Sequence, residues 1–526
     1  MKKIVYKIGL ISSVILFTAC DSDLHGVNDN PNEPEKVPTY TLLNGAIKEF
    51  MDTTRDEWFS GRIALPWVQY WAQTAYTEES RYQFREGTNK GGYEDMYKVA
   101  ENLRQIIAYN TDEATKVEMA VYGSNNNQIA AARILLAYVF QQLTDIYGPV
   151  AYYSYGSSDE TFQGLDILNH NKPVYASQEA IYNDLLKELK EASAMIDVNE
   201  IVFSKGDNIY GGDPIKWKKF ANSLRMRVAV RIGNTDEIAS AIAEGVFESN
   251  ADNASLSYMS SDTNASPMYK AFLVDNRSDF AVSNTFIDLL KGKSSVFSGM
   301  VDPRLFQYAA PKSVPMYYDK NKPKVASIEE LNYEVSHDPN DYEGAPIAYE
   351  NTDEVRDTEY SYASGYKVLR PDYTEVFMEY AEVAFIKSEY MGWDQGEYEN
   401  GIRASMERWG VEASDIDAYM TSVPASNEEN VLTQKYIALY MQPYEAWSEY
   451  RRTGFPNTLL LPNQSSTLPN GTAYTFDPLV DYLTDLPTRL PYPTDLQNLN
   501  PENWKEAVDK LGGVDRMDVK LLWDKN

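Results

Sequence analysis

Between Gln128 and Pro149 the chain reads QIAAARILLAYVFQQLTDIYGP, and apolar residues recur there at spacings of three, four and seven. Ile129, Ala132, Leu136, Val139, Phe140, Leu143 and Tyr147 therefore share one face of a helix about five turns long, with Arg133, Gln141, Gln142 and Asp145 mostly off that stripe. Gly148 turns left-handed at little cost and Pro149 forbids continuation. The run Asn125–Asn127 offers side-chain acceptors for the first free N–H groups. A stripe of this length must be covered, so the helix belongs to a pair or a layer. The same period predicts a first pair at Leu42–Met51 and Trp58–Tyr76, then Tyr93–Tyr109, which should pack on the 128–147 helix. It continues with a helix capped by Ser177 and carrying Ile181, Leu185, Leu189, Ala192 and Ile196. Asp213-Pro214 opens the next, with Trp217, Phe220, Leu224 and Val228 as its stripe and Gly233-Asn234 as its stop. Further helices are expected at Tyr373–Met391, Glu397–Trp409, Val431–Met441 behind a Ser426/Glu429 capping box, Pro443–Gly454, and 502–511.

Elsewhere the period is lost. Residues 153–174, 198–212, 245–267 and 457–500 read as irregular. From Phe297 to Asp372 the pattern fades, and nine tyrosines lie between Tyr308 and Tyr366 among Pro, Asn and acidic residues. A long non-helical run in a compact protein is usually functional or disordered, and this aromatic content argues against disorder. The helices group as pairs, 93–109 with 128–147, 178–197 with 214–232, 373–391 with 397–409, and 431–441 with 443–453. The expectation is a mainly α fold of interrupted helical hairpins, without a strict 34-residue repeat.

The start, MKKIVYKIGLISSVILFTAC, is a targeting segment. Lys2, Lys3 and Lys7 precede an apolar run too short to span a membrane as a helix. Leu16-Phe17-Thr18-Ala19-Cys20 resembles a lipobox, which makes Cys20 the acylated first residue of the mature chain. Residues 1–19 are then a signal peptide, 20–38 a polar, Asn/Pro-rich tether, and 39–526 one domain with an irregular insertion around 297–372. Cys20 is the single cysteine, so no intrachain disulfide and no cysteine metal site exist. The net charge is −30, and loss of the leader, with three lysines and no acid, makes it more negative. That excludes nucleic acid, whose phosphates need Lys and Arg, and leaves the lipid as the only membrane attachment. Tyrosine is abundant, 40 residues against 18 Phe and 9 Trp. Its flat apolar ring and single hydroxyl suit half-wet surfaces and ligand contacts, while packing at helix interfaces accounts for the larger share of them.

Four segments taken together resemble one family. They are ARILLAYVFQQLTDIYGPVAYY (132–153), GGDPIKWKKFANSLRMRVAVRI (211–232), LTQKYIALYMQPYEAWSEYRRTGFP (432–456) and RLPYP (489–493). With the lipobox, and with smaller matches at Asp302-Pro303-Arg304-Leu305 and Gly401-Ile402-Arg403, they are similar to the SusD/RagB nutrient-binding outer-membrane lipoproteins, in particular the SusD-like subgroup. The resemblance spans the mature chain in order. It implies four TPR-like helix pairs as a scaffold and a loop-rich face that carries the ligand site. It also implies capture of oligosaccharides or oligopeptides at the cell surface, delivery to a SusC-like TonB-dependent transporter, and no catalysis. Within these motifs Asp145, Arg227, Arg231, Arg451 and Arg452 read first as ion pairs holding the hairpins in register.

The residue inventory agrees with a binding role. His25, His170 and His337 lie in predicted loops, and neither HExxH nor GxSxG occurs. Asp302, Asp338 and Asp341 lack EF-hand spacing, so no metal is assigned, and no cofactor is expected. Sugar rings present apolar C–H faces flanked by hydroxyls, which aromatic platforms and a few fixed polar groups match. Two stretches qualify. One runs from Trp67 and Trp71 to Tyr76, Arg81 and Tyr82, the last three in a polar loop that in the family commonly lines the site. The other is Asp275-Asn276-Arg277, with Tyr317-Tyr318 in the irregular region. A structural or adhesive surface lipoprotein and a secreted glycan-degrading enzyme are the alternatives.

Overall fold

The computed structural model describes residues 36–275, 277, 279–314, 333–351 and 360–525. The expected leader, Cys20 and most of the tether lie outside these. The chain is mainly helical. In order, the longer helices are α1 (Thr39–Thr54), α2 (Glu86–Thr111), α3 (Asn125–Tyr147), α4 (Gln178–Met195), α5 (Pro214–Arg231), α6 (Thr235–Glu244), α7 (Tyr380–Tyr390), α8 (Gln395–Trp409), α9 (Ala413–Met420), α10 (Glu428–Ala438), α11 (Pro443–Thr453) and α12 (Pro501–Lys510). From α1 to α6 each helix packs on the next, and α7 pairs with α8, so TPR-like hairpins form the scaffold. The pairing expected between 431–441 and 443–453 is loose. α10 lies mainly on α7, whereas α11 packs on the segment 60–67 and on α3.

α3 is the centre. From Asn127 onward every residue is buried, including Arg133, Gln141, Gln142 and Asp145. Their burial is explained by their partners. Arg133 donates to Glu188 at 2.9 Å and Glu191 at 2.7 Å on α4, and Asp145 accepts from the Tyr182 hydroxyl. The upstream asparagines do not cap the helix. Asn127 instead holds the loop after α4 through Asp197 and Glu200. At the far end the orphan carbonyls that every helix leaves are met by two of the motif segments. Arg451 Nη1 donates to Asp145 O at 2.8 Å, Leu490 N to Ile146 O at 2.9 Å, and Arg489 to Tyr147 O at 3.0–3.1 Å.

Three segments differ from the periodic reading. Trp58–Tyr76 is not one helix: a turn at Ser60–Ala64 and a single helical turn at Leu65–Trp67 end where Gln69 goes left-handed (φ 57°), and β1 (Trp71–Gln73) follows. β1 is buried on both faces, so apolar spacing there cannot separate strand from helix. Tyr373–Met391 splits into β4 (Thr374–Met378) and α7. β4 pairs with β2 (Ala254–Ser257), inside a stretch expected to be irregular. The helix before α11 is capped by Asn427, whose side chain accepts from Asn430 N at 2.9 Å, while Ser426 Oγ donates to Trp393 O. β3 (Phe280–Val282) pairs with β1, and β5 (Ser465–Thr467) with β6 (Ala473–Thr475).

Most tyrosines are interior, as packing at helix interfaces places them, and the departure lies in the irregular stretch expected to hold an open aromatic face. Tyr308, Tyr342 and Tyr360 from the irregular stretch are buried, and Tyr366 is its one exposed tyrosine among the described residues. Tyr70 stacks on Tyr436 (4.7 Å) and Tyr308 on Tyr440 (4.4 Å).

Across the core, buried ion pairs join non-adjacent helices. Arg227 of α5 donates to both oxygens of Glu382 on α7, at 2.7 and 2.5 Å, and to Phe377 O at 3.2 Å. Arg231 pairs with Glu445 of α11. Arg452 reaches Glu389 at 2.7 Å and Glu449 at 2.9 Å, and Lys435 reaches Glu449 at 2.6 Å. Removing one partner of such a pair strands a buried charge. Arg227→Ala should therefore lower the unfolding free energy by about 3–5 kcal/mol, read from the urea midpoint at unchanged slope. A loss below about 1 kcal/mol, the range of a surface pair, would contradict the assignment.

Candidate functional site

The β1–β3 ribbon sets the location. Trp71, Ala72 and Gln73 face Val282, Ala281 and Phe280 in antiparallel register, and Thr74 N donates to Asp279 O at 2.6 Å. The two stretches singled out in the sequence therefore leave the same end of one ribbon, where Arg62 lies under Tyr76 and shares Asp279 with Arg277. A third segment, the loop after α1, joins them. There Asp56 Oδ1 accepts from Phe59 N (2.7 Å) and Ser60 N (3.3 Å), turning the chain. Phe59 stacks on Tyr444 at 4.9 Å, and the Tyr444 hydroxyl donates to Phe59 O at 2.8 Å. With Phe59 anchored inward, Trp58 is left outside, 42% exposed.

Beneath these rings sits Arg62, only 3% exposed. Its Nη1 donates to Glu79 at 3.1 Å and its Nη2 lies 3.7 Å from Asp279. Its guanidinium carbon is 4.9 Å from the Trp58 ring centre and 6.0 Å from that of Tyr76. A second guanidinium, Arg277, lies 4.8 Å from Trp58 and donates to Asp279 at 3.2 Å. Glu79, itself buried, also accepts from Gln73 at 2.9 Å and pairs with Arg85, while Trp67 Nε1 donates to its carbonyl at 3.0 Å. A buried cation under two rings is favourable and holds them in place. Tyr76 is in addition held left-handed (φ 54°), a conformation that costs a tyrosine roughly 1–2 kcal/mol and that persists mainly where the surroundings over-determine it.

Charge is mixed at this spot. Burial, and then Glu57, push the Asp56 carboxyl up to about 8 against the opposing N–H bonds. Burial also raises Glu57, with Asp275 adding to it and Arg277 and Arg62 pulling the other way. The exposed rings offer apolar surface, with the Arg277 guanidinium over the Trp58 ring and Asp275 close enough to act on Glu57.

Of the residues singled out in the sequence, Tyr76 (57% exposed), Arg277 and Asp275 meet here. Trp67, Trp71 and Tyr82 do not: all three are core side chains that present no ring to a ligand. Trp67 packs edge-on against Trp447 (5.2 Å), Trp71 donates to Tyr440, and Tyr82 packs on Phe476. Arg81 is turned away, tied to Asp477 O at 3.1 Å and to Glu350 at 3.4 Å. Asn276, Tyr317, Tyr318 and Cys20 lie outside the described residues. Trp58, Arg62 and Glu79 escaped the sequence reading. Trp58 had one signal, since it follows Arg55-Asp56-Glu57 and so does not continue an apolar stripe. Among the described residues only Trp58, Tyr76, Tyr366 and Tyr390 are exposed aromatics, so this site holds half of them. The acidic residues weighed for calcium are otherwise engaged. Asp302 pairs with Arg304, and Asp338 caps the turn at Pro339–Asp341.

The chain matches the SusD-like family model, described as starch-binding associating with outer membrane, over residues 31–476. No curated protein matches it. Among solved structures it is similar to a chitin-binding protein, with 26% identity over 92% of this chain and 100% of that one and a TM-score of 0.68. It shares its fold with a SusD homologue from Parabacteroides distasonis (22% identity, 93% and 98% covered, TM-score 0.72). The same holds for a chitin-binding SusD homologue from Flavobacterium johnsoniae (21%, 92% and 99%, 0.68).

Two outcomes follow for the site's scaffold. A Cβ at Gly92 would lie 2.6 Å from the Phe59 ring, so Gly92→Ala should lower stability by about 1–3 kcal/mol by overpacking, although Gly→Ala inside a helix ordinarily raises it. A rise in the melting midpoint would contradict this. The second concerns Asp56, which keeps its proton in the folded chain up to about pH 8 and ionises near pH 4 when unfolded. The folded state thus binds the extra proton between these values, and this group's contribution is lost as pH rises. Asp56→Asn should gain in melting midpoint over the parent as pH rises from about 4 to about 8, and a constant difference across that range would contradict the assignment.

Proposed function

The chain belongs to the SusD-like family of starch-binding proteins associating with the outer membrane, and on that premise we propose that it captures oligosaccharides on Trp58 and Tyr76, beside Arg277 and Asp275, and delivers them to a SusC-like TonB-dependent transporter. In this reading residues 1–19 are removed, Cys20 carries the acyl anchor, 20–38 form the tether, and 39–526 act as one unit held at the cell surface. The observation that carries it is the pair of exposed rings set over one buried guanidinium. Rings fixed in advance lose little freedom when a sugar face stacks on them, so more of the contact energy appears as affinity. Binding without catalysis agrees with the family's description and with an arrangement that offers rings and salt bridges. Starch, from the family description, and chitin, named for two of the similar structures, are the first glycans to test.

Trp58→Ala should weaken binding to whichever of soluble starch or chitin oligomers the parent binds by at least about tenfold, close to 1.4 kcal/mol in calorimetry. Tyr76→Gly removes a ring and relieves a left-handed φ, so it should lose affinity without losing thermal stability. Parent-like affinity in both variants would contradict the site. For delivery, a deletion strain should fail to grow on the bound polymer yet grow on its monosaccharide, and equal growth on both would count against it.

A further inference from the structure

Trp58 has a second neighbourhood. A cavity of about 710 Å³ opens between the end of α1 and the start of α2, and Trp58 forms part of its wall. Asp52 and Asp56, four apart, face it from one side, and Gly87 and Gly91, four apart in α2, face it from the other. The hydroxyls of Thr53 and Thr88, which also line it, make no hydrogen bond to another described residue. The volume falls in the ~300–1,000 Å³ range of small-molecule sites.

The glycines are the informative feature. Each glycine inside a helix costs roughly 0.5–1 kcal/mol relative to alanine, so three in the first two turns of α2 need a reason. Gly92 has one within the protein, because Phe59 occupies the space its Cβ would take. Gly87 and Gly91 have none: an added Cβ at either meets nothing within 4 Å. Nothing in the fold requires these two positions to be bare, and both border the cavity.

We infer that this groove is a second subsite, taking an uncharged, hydroxyl-rich sugar unit from the same glycan chain that stacks on Trp58, and that the missing side chains at Gly87 and Gly91 keep it wide enough to do so. The inference rests on the glycan-capture reading of the Trp58 platform and adds the direction in which the chain runs. Glu49, Asp52, Asp56 and Asp95 line the groove with a single arginine; Asp56 keeps its proton, Lys48 and Lys98 pair with Asp52 and Asp95, and Arg85 is already paired with Glu79, so the lining offers a sugar acid no unpaired cation. Uronate or sulfated units are therefore disfavoured there. The Thr53 and Thr88 hydroxyls and the carboxyl groups match sugar hydroxyls.

The test uses the mature protein with maltohexaose, N-acetylchitohexaose, the corresponding disaccharides and a galacturonate hexamer in calorimetry. Gly91→Leu should keep or raise the melting midpoint, since leucine is the better helix former. It should also weaken binding of the neutral hexasaccharide at least tenfold and abolish the gain in affinity from disaccharide to hexasaccharide. Gly91→Ala should raise the melting midpoint with a smaller loss of affinity, which keeps the inference testable should leucine disturb folding. Parent-like hexasaccharide affinity in both Gly91 variants, with Trp58→Ala impaired, would overturn the groove and leave the platform standing. Galacturonate binding as tight as the neutral hexamers would overturn the charge assignment. A parent protein that binds neither neutral hexasaccharide, or a Trp58→Ala variant that binds like the parent, would overturn the capture reading and this inference with it.

Discussion

Taking an arginine out of water costs several kcal/mol unless carboxylates meet its donors at bonding distance, and the helical core of this chain buries Arg133, Arg225, Arg227, Arg231, Arg451 and Arg452. Each is latched to an element other than its own, by carboxylates or, for Arg451, by backbone carbonyls, so no helix can slide without stranding a charge. Arg227 and Arg231 tie α5 to α7 and α11; Arg133 ties α3 to α4; Arg451 closes the last turn of α3. The carboxylates respond to their places in this network. Burial pushes Glu445 up to about 7 despite Arg231 and Arg227. Glu449 is also pushed up by burial, but Arg452, Lys435 and Arg231 together hold it well below the usual carboxylate range. The same device recurs at the surface. Arg62, buried against Glu79 and Asp279, is a fixed cation on which Trp58 and Tyr76 rest.

A loop-rich core poses a further demand, because carbonyls outside regular ladders still need donors. Tyrosine meets it here. Tyr138 donates to Phe377 O, Tyr436 to Val68 O, Tyr308 to Ile437 O, Tyr492 to Pro149 O and Tyr97 to Ala151 O, at 2.6–3.0 Å. Each ring fills apolar space while its hydroxyl closes a backbone bond between elements distant in sequence. The abundance of tyrosine is thus largely structural, and the rings left open at Trp58 and Tyr76 are exceptions to it.

The helices were legible wherever one face had to be buried and caps were local, as at Ser177, Asp213-Pro214 and Gly454. Family membership was legible too, because the segments that carry it hold the buried ion pairs and the groups that close α3. Strands were not. β1 and β4 are short and buried throughout or nearly so, and their apolar spacing mimics a helix. The site was half legible. Tyr76 and Arg277 stood out as polar-loop candidates, but the ribbon that joins them and the fold-back that turns Trp58 outward are long-range facts. Trp67, Trp71 and Tyr82 misled because an aromatic side chain looks the same in sequence whether it faces a ligand or a core.

A buried guanidinium presents two rings to a passing sugar chain. A crystal structure with bound maltohexaose or N-acetylchitohexaose tests it most directly. A sugar ring should lie against Trp58 and touch Tyr76, with the Arg62–Glu79–Asp279 contacts unchanged beneath them. A sugar seated instead in the cavity of about 750 Å³ lined by Tyr182, Arg231 and Trp523, with Trp58 bare, would contradict it.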